Sequence, residues 1–79
     1  MTPHNAICDR ELHAHIRRGA IRLAGNRKLK IYGLLSCTSG KRLLRSNRVF
    51  FISEAEALSL GYRPCAHCLK TSYTLWKNQ

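Results

Sequence analysis

The pair Cys65 and Cys68, separated by Ala66-His67 and preceded 28 positions earlier by Cys37, constrains this chain more than any other feature. Two thiolates at C-x-x-C spacing can grip one tetrahedral metal ion from a tight turn, because metal–sulfur bonds are short. Arg63-Pro64 stops any helix before Cys65, since proline disfavours helix in the residue before it. The chain is only 79 residues long. At that length a hydrophobic core alone supplies a few kcal/mol, so a metal staple has a physical purpose. Cys37, Cys65 and Cys68 are therefore the candidate metal ligands, with Zn2+ as the cofactor. The other reading of the same residues is three half-buried reduced thiols. A redox pair of the thioredoxin kind is disfavoured, because no βαβ pattern surrounds the motif.

The fourth ligand is open at this level. Cys8 falls on the apolar stripe of the first predicted helix and reads as a small core residue. His67 lies inside the C-x-x-C turn and reads as a neighbour of the ligands. His4 sits in an N-terminal segment free to reach back. His13 reads as exposed and His15 as a core histidine. Water or a substrate atom is a further candidate.

Charge supplies the second constraint. Fourteen Lys and Arg against four Asp and Glu give a net charge of +10. Between Leu12 and Ser53 there is no acid, and ten of the basic residues lie there. Such a one-sign stretch with a pI of about 10.2 is the electrostatic footprint of a nucleic-acid binder. The competing reading is a solvated, solubilising face. Lys41, Arg42, Arg45 and Arg48, which follow Cys37, are the candidate backbone contacts. Arg63 is either a phosphate contact or a donor to the carbonyls and sulfurs of the cysteine turn. DNA is the expected partner, with RNA open as well. An anionic membrane is disfavoured, because no segment joins this charge to a strong apolar helical face.

The 44% apolar fraction is that of a folded globular chain, not a disordered one. The longest apolar runs are far too short to span a bilayer. The first twenty residues are interrupted by charge, as a signal peptide is not. The expectation is a cytoplasmic protein with reduced cysteines, monomeric by default.

The pattern along the chain predicts a single α+β domain over 1–79, with a small antiparallel sheet and helices packed on it. Residues 1–8 read as a loose arm. Asp9 caps a helix over 10–18 that Gly19 ends. Ala20-Ile21-Arg22-Leu23 alternates as a half-buried strand does, and Gly25-Asn26 reads as the turn to a partner strand at Leu29-Lys30-Ile31-Tyr32. Val49-Phe50-Phe51-Ile52 reads as a strand buried on both faces. Ser53-Glu54-Ala55-Glu56 is a capping box opening a short helix that ends at Gly61. A last helix is predicted from Ala66 to Trp76, with Leu69, Tyr73 and Trp76 on one stripe. Tyr73 and Trp76 then read as core rather than as a base-stacking pair. Tyr62 either packs on the cysteine turn or contacts a sugar.

From Cys37 to Cys68 the chain resembles the metal-binding N-terminal domain of the Ada DNA-repair family. The matching residues are Cys37 in its basic loop, Asn47-Arg48-Val49-Phe50-Phe51, the helix Glu54-Ala55-Glu56-Ala57-Leu58, and Gly61-Tyr62-Arg63-Pro64-Cys65-x-x-Cys68. The last is the most specific, and the loop Cys37-Thr38-Ser39-Gly40-Lys41-Arg42 is similar to that of short, stand-alone members. The resemblance implies a small sheet with helices, one structural zinc and a DNA-backbone substrate. It implies that Cys37 stands where the family accepts a methyl group from a DNA methylphosphotriester. The family holds zinc with four cysteines, and its second cysteine falls at Lys41 here. Three functions follow as expectations: a zinc-stabilised module on nucleic-acid backbone, a stoichiometric methyl acceptor through Cys37, and a zinc-stabilised adaptor for an acidic protein.

Overall fold

The computed structural model describes residues 1–37 and 43–78. Strand β1 (Thr2–Pro3) is followed by helix α1 (Asp9–Arg17), β2 (Leu23–Asn26), β3 (Ile31–Leu34), β4 (Arg48–Phe51), helix α2 (Glu54–Ser59), β5 (Arg63–Pro64) and helix α3 (Lys70–Lys77). The strands form one sheet in the order β1-β4-β2-β3-β5. The α+β reading therefore holds, with one refinement: the sheet is mixed. β1, β2, β3 and β4 pair antiparallel, while β5 runs parallel to β3. Arg63-Pro64 was read only as a helix stop. Proline has no N–H to donate, so it fits a two-residue edge strand, where its neighbours carry the ladder. Arg63 N–H donates to Lys30 O and Cys65 N–H to Tyr32 O, both at 2.8 Å.

β4 reads the sheet from both sides. Phe50 joins Ile7, Leu12, Ile21 and Ala24 on the face covered by α1. Val49 and Phe51 join Tyr32, Ala57 and Tyr62 on the face covered by α2. Alternate residues of a strand point to opposite faces, so a doubly covered strand must be apolar throughout. Ile52, placed in the strand by sequence, lies just beyond it and is exposed.

Residues 1–8 are not a loose arm. Thr2 and Pro3 pair with Phe50 and Val49, and Ile7 is buried. α1 starts one residue earlier than predicted, with Cys8 rather than Asp9 at the N-cap. Cys8 is consequently exposed, its thiol donating to Glu11 Oε1 at 3.3 Å. The core reading of Cys8 is corrected by that one-residue shift.

The β2–β3 hairpin forms two to three residues later than its pattern suggested. Gly25-Asn26 is strand, not turn. A Cβ on Gly25 would lie 2.8 Å from Phe51 Cε2 and 3.1 Å from Ile31 O, so glycine is there for close approach. Asn26 starts the turn with its side chain, Oδ1 accepting from Lys28 N and Leu29 N. Lys30 closes it with a φ of 58°.

The capping box holds with a shift in one partner. Ser53 Oγ accepts from Glu56 N at 3.2 Å, and Glu56 Oε1 accepts from Ile52 N at 3.0 Å. α2 ends at Gly61 with φ +85°, the left-handed conformation glycine adopts without cost. Tyr62 then turns inward and packs edge-on against Phe51, ring centroids 4.8 Å apart.

Tyr32 sits in this packing with its hydroxyl donating to Glu54 Oε2 at 2.7 Å. Burial, then that hydrogen bond, holds the phenol well above its ordinary range. A raised phenol adds stability that is fully present below the unfolded-chain value of about 10 and is lost as pH rises past it, because the unfolded chain ionises first. The melting temperature is expected to fall above about pH 10. A Tyr32→Phe variant should show a shallower fall in a pH series of thermal melts.

Candidate metal centre

Three elements bring the cysteines together. Cys37 follows β3, its amide donating to Leu34 O at 3.1 Å. Cys65 follows β5, and Cys68 ends the turn that leads to α3. Their three sulfurs lie within 4.8 Å of one another. The parallel pairing of β5 with β3 causes this convergence. It sets the C-x-x-C turn beside the end of the strand from which Cys37 emerges.

The turn has the local geometry of a metal knuckle. The backbone amides of Cys68 and His67 favour the ionised form of the Cys65 sulfur. The Leu34 amide donates to Cys68 Sγ at 3.3 Å. Burial pushes the Cys65 thiol up, but those two amides and the thiols of Cys68 and Cys37 outweigh it, and the net shift is downward. Cys68 is pushed upward, by burial first and by sharing protons with Cys37 and Cys65. The two thiols of the C-x-x-C turn are thus shifted in opposite directions.

Gly33 is the residue that sequence reading missed. A Cβ there would lie 2.7 Å from Cys68 Sγ and 3.2 Å from Cys65 Cβ. The strand backbone thus forms a floor on which the knuckle rests. The signal was available: an isolated glycine inside the strand pattern Ile31-Tyr32-Gly33-Leu34 marks a close backbone approach.

The remaining sequence candidates separate cleanly. Cys8 is exposed at the start of α1 and outside the cluster. His4 packs edge-on against Phe50, 5.1 Å between ring centroids, with neither ring nitrogen hydrogen-bonded. Burial, then the charges of Arg45 and Arg48, pushes its pKa below the ordinary imidazole value. His67 is exposed. Arg45 bonds the chain to itself, Nη1 to Asp9 Oδ1 at 3.1 Å and Nη2 to Ile7 O at 3.1 Å. Arg48 lies over the Phe50 ring and donates from Nη2 to Leu35 O at 3.4 Å. Burial lowers its pKa, and the nearby Cys37 charge opposes that shift. Its guanidinium is held at the carbonyl two residues before Cys37. Arg63 Nη1 donates to Pro64 O at 3.1 Å, just before the cysteine turn, and its guanidinium lies over the Tyr73 ring. Lys41 and Arg42 lie outside the described residues.

α3 begins at Lys70, not Ala66, because residues 66–68 are spent on the knuckle. It buries no residue. Trp76 is 38% exposed and stacks on Tyr73, ring centroids 6.0 Å apart. The expected core role of Trp76 is thus corrected: only Leu69, at the start of the stripe, packs against the core.

Beside the cluster is a cavity of about 240 Å³. Its wall includes Cys37, Cys65, Arg63 and His67, and its body is apolar, formed by Leu29, Ile31, Leu34 and Leu43 among others.

A small α+β domain that gathers three thiols at one strand end, with the Leu34 amide directed at Cys68 Sγ, is a metal-binding domain. The chain belongs to the family of the metal-binding domain of Ada, whose family model matches residues 17–70. Neither the curated proteins nor the solved structures gave a match. No helix among the described residues is long and apolar enough to cross a membrane.

Proposed function

We propose that this chain is a zinc-binding module that attaches to nucleic-acid backbone. Zinc suits the donor set, because three thiolates are soft ligands and the knuckle amides favour ionised sulfur. Cys37, Cys65 and Cys68 would hold it, and its chemistry there is structural: it ties the loop after β3 to the start of α3.

The net charge of +10 carries the nucleic-acid reading. Arg45 and Arg48 are engaged with the chain's own carbonyls, so they shape the basic surface more than they reach from it. Lys28, Lys30, Lys70 and Lys77 are exposed and add to it. The stacked pair Tyr73 and Trp76 stands on that surface and offers a face for a base.

Binding of a short DNA duplex is expected to weaken steeply with salt. Three to four phosphate contacts predict a loss of about 40- to 150-fold between 50 and 200 mM salt, with little dependence on sequence. Fluorescence anisotropy measures this directly. An affinity that stays flat over that range would remove nucleic acid as the partner.

A second reading is favoured by one observation: Cys37 lines the cavity and has the Arg48 cation beside it. In this reading the Cys37 sulfur attacks the methyl carbon of a DNA methylphosphotriester. An S–C bond forms, the O–C bond breaks, and the phosphodiester leaves as an anion. Incubation with methylated DNA should then add one methyl group to the peptide containing Cys37. Mass spectrometry showing an unmodified Cys37 after complete exposure would end this reading.

A further inference from the structure

The structure brings together three protein ligands where a closed zinc site needs four. The shortfall can be traced through the whole chain. Every Cys, His, Asp and Glu lies among the described residues, and of these only Cys37, Cys65 and Cys68 converge. Residues 38–42 and 79 are Thr, Ser, Gly, Lys, Arg and Gln, none an ordinary zinc ligand. Cys8 is turned to Glu11, and His4 is packed on Phe50. His67 is exposed and outside the cluster.

We infer that the metal site keeps one coordination position for a ligand from outside the chain, a small thiol whose short alkyl tail lies in the cavity beside Cys37 and Cys65. This rests on the zinc reading above. Two of the three cysteines, Cys37 and Cys65, line the cavity, so a donor atom joining the cluster has this space next to it. The apolar walls from Leu29, Ile31, Leu34 and Leu43 ask for an apolar body. A metal already carrying thiolates accepts a soft donor, and the Arg48 cation and the overall positive charge favour an anionic one. The thiol releases its proton to solvent as its sulfur binds the metal. No electron is transferred.

The test uses the full chain loaded with Co2+, whose d–d and sulfur-to-metal bands report the ligand set. Metal content is measured first. One cobalt per chain keeps the zinc reading; no bound cobalt would overturn that reading and this inference with it. Butanethiol and 2-mercaptoethanol are then titrated separately. The expected result is a saturable rise in the charge-transfer band at one equivalent of thiol, with butanethiol bound about tenfold more tightly. Leu29→Ser removes an exposed apolar wall residue and should reduce that preference to about threefold or less. A cobalt spectrum that no thiol changes would mean that the chain closes its own site, and His67→Ala would then alter the spectrum without added thiol. Equal affinity for the two thiols would overturn the cavity as the seat of the tail.

Discussion

Replacing Cys68 with serine is expected to free α3 from the body of the protein and to lower the melting temperature by well over ten degrees. α3 buries none of its residues, and its neighbour Leu69 is only partly buried against the core. Beyond Leu69 and the Arg63 guanidinium over Tyr73, the knuckle is what anchors α3. Structural zinc contributes apparent binding energies of about 10–16 kcal/mol in zinc-finger peptides. A domain of this size has a total stability of only about 5–15 kcal/mol. Even a fraction of the metal term exceeds what the core can cover alone. Chelation of the native protein should reproduce the variant: less helix by circular dichroism, and altered emission from Trp76, the sole tryptophan. Cys8→Ser is the matched control. Cys8 is exposed and outside the cluster, so its loss should change stability by less than about 0.5 kcal/mol. A Cys68→Ser protein that melts like the native chain would mean that the three sulfurs merely pack together.

Much of this site was legible because its information is local. C-x-x-C after a proline specifies a turn with two thiols whatever surrounds it, and Ser53-x-x-Glu56 specifies a helix start through its own hydrogen bonds. The strand at Val49-Phe50-Phe51 was legible for a related reason: burial on both faces leaves no polar position to confuse the pattern. What escaped depends on contacts distant in sequence. Gly25-Asn26 has the composition of a turn, yet Phe51 crosses so close that only glycine fits the strand there. Nothing near Gly25 in sequence announces Phe51. β5 has two residues, and its parallel pairing exists only because Lys30 and Tyr32 present carbonyls to it. The stripe Leu69-Tyr73-Trp76 has helical period, but period cannot say whether a sheet face is free to receive it. Both faces of β4 were already covered by α1, α2 and Tyr62. The intramolecular partners of the basic residues were hidden for the same reason. Arg45 and Arg48 count as surface charge in a composition, while in the fold they donate to backbone carbonyls 13 to 38 positions away.

The two close-packed glycines give the sharpest separation between fold and site. Gly33→Ala places a methyl 2.7 Å from Cys68 Sγ and 3.2 Å from Cys65 Cβ, distances that force the knuckle off the strand. The Leu34 amide would then lose Cys68 Sγ, and three sulfurs within 4.8 Å would no longer converge. Metal affinity is expected to fall by at least about tenfold, since displaced supporting contacts around a metal cost 10- to 100-fold. Gly25→Ala meets Phe51 Cε2 at 2.8 Å and Val49 Cγ2 at 3.3 Å, inside the core rather than at the cysteines. Overpacking of this kind costs about 1–3 kcal/mol. Its expected signature is a lower unfolding midpoint in denaturant with metal affinity nearly native, read by competition with a chromophoric chelator. The two variants carry the same chemical change on neighbouring strands of one hairpin. If both lose metal equally, the site is a by-product of global stability. If only Gly33→Ala does, the floor of β3 is a built part of the metal centre, and the sheet exists in this form partly to hold three sulfurs in place.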